Sequence, residues 1–190
     1  MKNSRTVNQF KGRAIGSFFF AGLGSLWIVL SLYAKQILSI VTAGGVLLVT
    51  VLLLLAVLRL LQQAERWPRV PDDPSIGRAF ARINIVQWVA VFLVAFSFAK
   101  LHIDAYVLSA IAAIVGLHLL PLARLFRYPL HYVTGGLLMA WASATALLAP
   151  VNQMQGITAM GTGLILWLSA AVTLFIALQA SRATREPLAC

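Results

Sequence analysis

Between Arg127 and Arg182 the chain runs for 54 residues without an Asp, Glu, Lys or Arg. As one α-helix this stretch would measure about 80 Å at 1.5 Å per residue. A bilayer core is only about 30 Å thick, so the stretch has to fold back on itself. Pro150-Val151-Asn152-Gln153-Met154-Gln155-Gly156 supplies the polar and helix-breaking residues for the turn. Two spans remain, near residues 132–149 and 157–180.

The same logic counts the other crossings. A charged side chain at the bilayer centre costs on the order of 3 kcal/mol, so charges mark where spans are not. Arg13 to Lys35 encloses 21 uncharged residues, and Lys35 to Arg59 encloses 23. Arg82 to Lys100 encloses 17, and Asp104 to Arg124 encloses 19. About 20 helical residues cross a bilayer, so each interval fits one helix. Composition agrees: 61% of residues are apolar and 11% charged, too little charge to cover a water-facing surface. Membrane β-strands would alternate lipid-facing and lumen-facing residues, and residues 46–61 do not. The expectation is all-α: a polytopic transmembrane bundle, one domain over residues 1–190. Its spans lie near 14–34, 37–61, 83–99, 105–123, 132–149 and 157–180. The first run exceeds a signal-peptide core and has Leu32 where a cleavage-site Ala34 wants a small residue two positions before it, so it is expected to be retained.

Short connections at Lys35-Gln36, at Lys100–Asp104 and after Pro150 predict three antiparallel helical hairpins. With both termini inside, the inner segments carry Lys2, Arg5, Lys11, Arg13, Arg59, Arg66, Arg69, Arg78, Arg82, Arg124, Arg127, Arg182 and Arg185. Only Lys35 and Lys100 fall outside. That asymmetry is the positive-inside pattern and predicts cytoplasmic termini. Tyr33, Tyr106, Tyr128 and Tyr132 all fall at span ends, where amphipathic rings prefer to lie. The net charge of +10 is then a topology signal that draws anionic headgroups, not a nucleic-acid surface. In the inner loop 62–82, Pro68 and Pro71 break the chain, and Asp73-Pro74 begins a short helix. Ile76, Phe80 and Ile83 share one of its faces, which suits a helix lying on the inner leaflet before the third span.

Small residues recur at packing spacing: Ser109, Ala112/Ala113 and Gly116 in span four, Gly136, Ala140 and Ala144 in span five, and Ser169, Thr173 and Ala177 in span six. Such spacing lets helix backbones approach closely in lipid.

Chemistry has few places to reside. Cys190 is the only cysteine, so neither an internal disulfide nor a cysteine-built metal site can form. His118 is the one ionisable residue well inside a span, followed by Pro121, and His131 opens span five. The two are candidate haem or metal ligands if the inner turn brings them together; a neutral histidine bonding a nearby carbonyl is the plainer reading. Lys100, His102 and Asp104 read as a solvated outer turn with a local ion pair. No intramembrane carboxylate pair, nucleophile elbow or phosphate loop is present. Hence no catalytic residue, metal or cofactor is expected. Polar candidates for a transport path are Asn84, Gln87 and Ser97 on span three, with Thr158, Thr162, Ser169, Thr173 and Gln179 on span six. Hydroxyls bonding back onto their own helix are the alternative for each.

The segment Gly116-Leu117-His118-Leu119-Leu120-Pro121-Leu122-Ala123-Arg124-Leu125-Phe126, with Tyr132-Val133-Thr134-Gly135 after it, resembles a pattern in uncharacterised bacterial multi-span membrane proteins. The resemblance implies a bacterial inner-membrane location and no particular activity.

The functional expectation is a structural, lipid-interacting or complex-associated membrane component, with lipids and a second copy or another membrane protein as partners. The alternative is a small channel or facilitator; an embedded enzyme or haem protein ranks below both. The chain should stay with the membrane pellet through an alkaline carbonate wash and leave it only in detergent. Release by carbonate alone would refute the lipid-embedded reading.

Overall fold

The computed structural model describes the backbone of residues 2–64 and 73–183, and side chains of residues 12–63 and 73–180. Arg66, Pro68, Arg69, Pro71, Arg185 and Cys190 lie outside the described residues, as do the side chains of Lys2, Arg5, Lys11 and Arg182. Six α-helices follow in order: α1 (Lys2–Ala34), α2 (Ile40–Ala64), α3 (Pro74–Lys100), α4 (Val107–Leu125), α5 (Leu130–Leu148) and α6 (Met154–Ala183). A single 3₁₀ turn, Asp104–Tyr106, precedes α4. No strand occurs among the described residues.

Five helices are long and apolar enough to cross a bilayer, over Gly12–Ala34, Ile40–Gln63, Pro74–Lys100, Asp104–Leu125 and Met154–Ala180. The sixth, α5, has 19 residues, and His131, Tyr132, Thr134, Ser143 and Thr145 dilute its apolar content. Of these, Thr134 and Thr145 face the bundle interior, while Tyr132 and Ser143 are exposed.

The closest-packed pairs are α1 with α6 and α4 with α5. In α1 the buried residues Ala14, Ser17, Ala21, Gly24, Ile28 and Ser31 alternate by three and four. In α6 the buried residues Gly156, Ala159, Gly163, Leu166, Ala170, Thr173 and Ala177 do the same. This is the heptad seam that lets two helices stay in contact along their length. They run antiparallel: Ser31 Oγ donates to the Gly156 carbonyl at 2.6 Å, and Ala14 shares a cluster with Leu174 and Ala177 at the other end. At the middle the two backbones nearly touch. A Cβ on Gly24 would stand 3.0 Å from the Gly163 carbonyl oxygen, and one on Gly163 would stand 2.8 Å from that of Gly24.

The α4/α5 crossing repeats this arrangement. A Cβ on Gly116 would meet the Gly135 carbonyl oxygen at 2.7 Å, and one on Gly135 would meet that of Gly116 at 2.6 Å. Around it lie buried Ser109, Ala112 and Leu119 of α4 and Leu138, Ala142 and Thr145 of α5. The span-five seam is therefore Thr134-Gly135-Leu138-Ala142-Thr145. The expected Gly136, Ala140 and Ala144 lie beside it: Gly136 and Ala140 are exposed, Ala144 half-buried, and nothing approaches within 4 Å of a Cβ on Gly136. Of the expected seams, Ser109, Ala112 and Gly116 of α4 and Ser169, Thr173 and Ala177 of α6 are buried, and Ala113 is half-buried.

α2 flanks α1, and α3 flanks α4, so these two helices form the outer sides. The cluster of Ala14 with Val57, Leu60 and Leu174, the Arg13–Tyr128 contact and the Phe80–Phe126 contact gather Arg13, Arg59, Arg78, Arg82, Arg124 and Arg127 at one end of the bundle. Lys35 and Lys100 sit at the other. These are the arginine end and the lysine end below.

Three helices stop in the same way. Gln36, His102 and Arg127 take left-handed φ values of 56°, 55° and 50°. The following N–H groups of Ile37, Ile103 and Tyr128 reach back to the carbonyls of Leu32, Phe98 and Ala123 at 3.0 Å each. This cap satisfies carbonyls that a helix end would otherwise leave bare. At the other kind of terminus, Asp73 caps α3 by accepting from the Ser75 N–H at 2.8 Å, with Pro74 in the first turn. Hydrogen bonds from the Ser75 side chain and backbone hold its carboxyl below the ordinary value.

Two expectations need correcting. The helix begun by Asp73-Pro74 is not a separate surface helix: α3 continues without a break to Lys100, because no further proline interrupts it and Gly77 alone does not. The ion pair expected in the outer turn is also absent. Lys100 Nζ lies over the Phe96 ring at 5.6 Å, while Asp104 offers its backbone carbonyl to Gln155 Nε2 at 2.8 Å.

Gly116→Ala should lower stability in detergent by about 1–3 kcal/mol, the usual cost of overpacking. Gly136→Ala should be neutral or stabilising by up to about 1 kcal/mol through helix propensity alone. Reversible unfolding of the two variants side by side checks the assigned face of α5.

Candidate functional site

The polar side chains of the core are almost all hydroxyls, and they line up. On α6, Thr158, Thr162, Ser169 and Thr173 sit at intervals of four, seven and four residues, which keeps them on one face. On α5, Thr134 and Thr145 are eleven residues apart, about three helical turns. Thr158 and Ser169 have that same separation. The antiparallel helices thus bring hydroxyls together twice.

Near the lysine end, Thr158, Thr145 and Ser109 form a closed triad across α6, α5 and α4. Thr158 lies 3.0 Å from Thr145 and 2.9 Å from Ser109, and Ser109 is 3.4 Å from Thr145. Thr145 also donates to the Trp141 carbonyl of its own helix at 3.0 Å. The Trp141 indole lies on Gly161, which has no side chain to exclude it, and its Nε1 donates to the Thr158 carbonyl at 3.2 Å. Toward the arginine end, Thr134 and Ser169 pair at 2.9 Å, and the Tyr128 hydroxyl donates to Thr173 at 3.2 Å. Another polar set joins α6 to α1 and α2. Trp167 Nε1 donates to the Ala21 carbonyl and to Ser25 Oγ at 3.2 Å each, and Ser25 meets Thr50 at 2.6 Å.

The stripe is not a continuous polar path. Leu138 and Leu166, 0% and 1% exposed, occupy the core positions between its upper and lower groups. Thr162 Oγ1 and Ser17 Oγ are fully buried without a hydrogen-bond partner.

At the arginine end an aromatic cluster closes the seam. The Arg13 guanidinium stands 5.0 Å over the Tyr128 ring, a cation–π contact. His131 meets Tyr128 edge-on at 5.1 Å and Phe20 at 5.6 Å. His118 is half-buried on α4. Both histidines have a buried Nδ1 without a partner. No three His, Cys, Asp or Glu side chains gather around one point among the described residues.

The sequence candidates therefore divide. Thr158, Thr162, Ser169 and Thr173 come together on one buried stripe, while Gln179 is exposed. Asn84 and Gln87 are half-buried on α3 and Ser97 is exposed, apart from that stripe because α3 packs on α4. His118 and His131 are half-buried on α4 and α5, each with a buried Nδ1 that has no partner. Sequence reasoning missed Thr134, Thr145, Tyr128 and Ser31 as partners; the eleven-residue hydroxyl spacing shared by α5 and α6 was the available signal. At the lysine end, a shallow depression of about 640 Å³ is lined in part by Lys35, Gln36, Asn152, Gln153 and Gln155. Searches of protein-family models, curated proteins and solved structures return no match for this chain.

Thr158→Val should destabilise the bundle by about 1–2 kcal/mol, because it removes the hydroxyl that bonds both Ser109 and Thr145. Thr162→Val should be neutral or stabilising, since that hydroxyl makes no bond to lose. Unfolding free energies of the two variants in one detergent check this assignment.

Proposed function

We propose that this chain is a structural or lipid-interacting component of a membrane assembly, embedded in a bacterial inner membrane by six crossings with both termini cytoplasmic. Five apolar helices support the embedding. The sixth crossing follows from register: α5 pairs with spanning helices on both sides, through Gly116/Gly135 at the α4 crossing and through Thr145/Thr158 and Thr134/Ser169 along α6. Grouping of the arginines at one end supports the orientation, because positively charged segments are retained on the cytoplasmic face.

The observation that carries the functional reading is the closed interior. Its hydroxyls bond mostly to one another, and leucines fill the level between the two groups. Side chains so engaged hold helices together; they do not offer coordination sites to a passing solute. The outside, by contrast, is bulky and apolar over α2 and α3, with Leu47, Leu52, Ile85, Val86, Phe92 and Phe96 all more than half exposed. Such a surface suits acyl chains, and the arginine end suits anionic headgroups.

A facilitator is the competing reading, and the unbonded Thr162 is what favours it. Proteoliposomes separate the two. The expected result is no solute flux above that of protein-free vesicles; a selective flux abolished by Thr162→Val would replace the structural reading. Orientation has its own test: a membrane-impermeant thiol reagent should leave Cys190 unlabelled on intact spheroplasts and label it after lysis.

A further inference from the structure

Among the described arginine side chains, Arg13 alone is half-buried; Arg59, Arg78, Arg82, Arg124 and Arg127 are exposed. Its guanidinium stands over the Tyr128 ring, and no hydrogen bond joins it to another described residue. The ring is a fixed platform. The Tyr128 N–H closes the end of α4 on the Ala123 carbonyl, and its hydroxyl is tied to Thr173 of α6. Attraction to a ring holds the charge in place, but supplies no oxygen acceptor for the five N–H donors of an arginine. A partly dehydrated cation without acceptors is unfavourable. Of the two described carboxylates, Asp104 lies at the lysine end, and Asp73 is engaged in capping α3. Arg127, adjacent in sequence to Tyr128, adds a second positive charge to the same helix end. The missing partner is therefore an anion from outside the described chain. Beside Arg13 the surface of α1 is open: nothing among the described residues comes within 4 Å of a Cβ placed on Gly12 or Gly16. Phe19 and Leu23, both exposed, continue that row at intervals of three and four residues, which keeps all four positions on one face.

We propose that this corner is the site of one anionic phospholipid from the leaflet at the arginine end. Arg13, held on Tyr128, bonds the phosphate oxygens, and an acyl chain lies along Gly12, Gly16, Phe19 and Leu23. The planar fork of arginine matches two oxygens of a phosphate at once. Depth agrees with this occupant. Arg13 is the second residue of the apolar stretch Gly12–Ala34, the level at which headgroups lie. Leu23, ten residues on, is about 15 Å deeper, half of a bilayer core of about 30 Å and hence the reach of one leaflet. A free phosphate would use the cation and leave the glycine-floored row empty. Charge selects among lipids: the two cations repel a headgroup that carries an ammonium, and no described carboxylate is placed to receive one. This assignment rests on the lipid-interacting reading proposed above and names the lipid and its contacts.

The test uses the full chain in mild detergent, titrated with phosphatidylglycerol, phosphatidylethanolamine or inorganic phosphate and read by native mass spectrometry. The first phosphatidylglycerol should bind about tenfold more tightly than phosphatidylethanolamine. Arg13→Gln and Gly16→Leu should each weaken phosphatidylglycerol binding by about tenfold. Gly16→Leu keeps every charge, so its loss reads the acyl-chain row alone. Tyr128→Phe keeps the ring and should bind close to the parent, as should Arg82→Gln on α3, which packs on α4. Melting temperatures of the lipid-free variants close to the parent's separate lost binding from lost folding, and Arg13→Lys, with the charge but not the fork, should recover part of the affinity. Equal affinity for the two lipids, unchanged binding in Arg13→Gln or Gly16→Leu, or an equal loss in Arg82→Gln would each overturn the proposal. Displacement of the lipid by millimolar inorganic phosphate would overturn it in favour of a free anion. Any of these without solute flux in proteoliposomes would remove this site alone; a selective flux would remove the reading on which it rests.

Discussion

Helices in hydrocarbon gain nothing by hiding apolar surface from lipid, so what holds them together is contact between backbones. In this protein that contact is concentrated at two glycine pairs, Gly24 with Gly163 and Gly116 with Gly135, where each glycine would drive a Cβ into the opposing carbonyl. Dispersion forces act over short range. The absence of four side chains therefore sets how near α1 comes to α6 and α4 to α5. The other helices are arranged around those two pairs, with α6 linking them.

Hydroxyl bonding depends on that closeness. Ser31 reaches the Gly156 carbonyl because nothing projects from Gly156. Thr158 reaches Ser109 and Thr145 because the helix pairs hold three backbones at serine-and-threonine distance. Each such bond is worth only about 0.6–1.7 kcal/mol in a membrane. Its greater effect is on register: sliding α5 against α6 would leave several hydroxyls without partners in a medium that supplies none. Small residues bring the helices near, and hydroxyls fix where along their length they stop.

The two outer helices follow another rule. α2 presents leucine and valine to the outside with Val57 and Leu60 turned inward, and α3 turns no residue fully inward. Their compositions are those of helices solvated by lipid on most sides. Against that background the amides of α3 stand out, as does His118 on the neighbouring α4.

Helical class and number were legible in the linear chain, because charge is excluded from hydrocarbon and a crossing has a fixed length. Residues Arg13, Lys35, Arg59, Arg82, Lys100 and Arg124 bracket the first four helices, and Pro150 with its polar successors divides the last two. The small-residue seams of α4 and α6 could be read as well. The seam of α5 could not: small residues occupy two adjacent faces of that helix, and spacing alone gives Gly136-Ala140-Ala144 the same claim as Gly135 and its neighbours. Nor could spacing show that α1 packs most closely on α6, more than a hundred residues away, since hairpin logic pairs only helices that are adjacent in sequence. Pairing of distant helices, and with it the meeting of Thr134 with Ser169 and Tyr128 with Thr173, was decided by which surfaces fit most closely in three dimensions. Solvent preference is a property of each residue and survives in the sequence. Complementarity belongs to pairs of surfaces and exists only once the chain has folded.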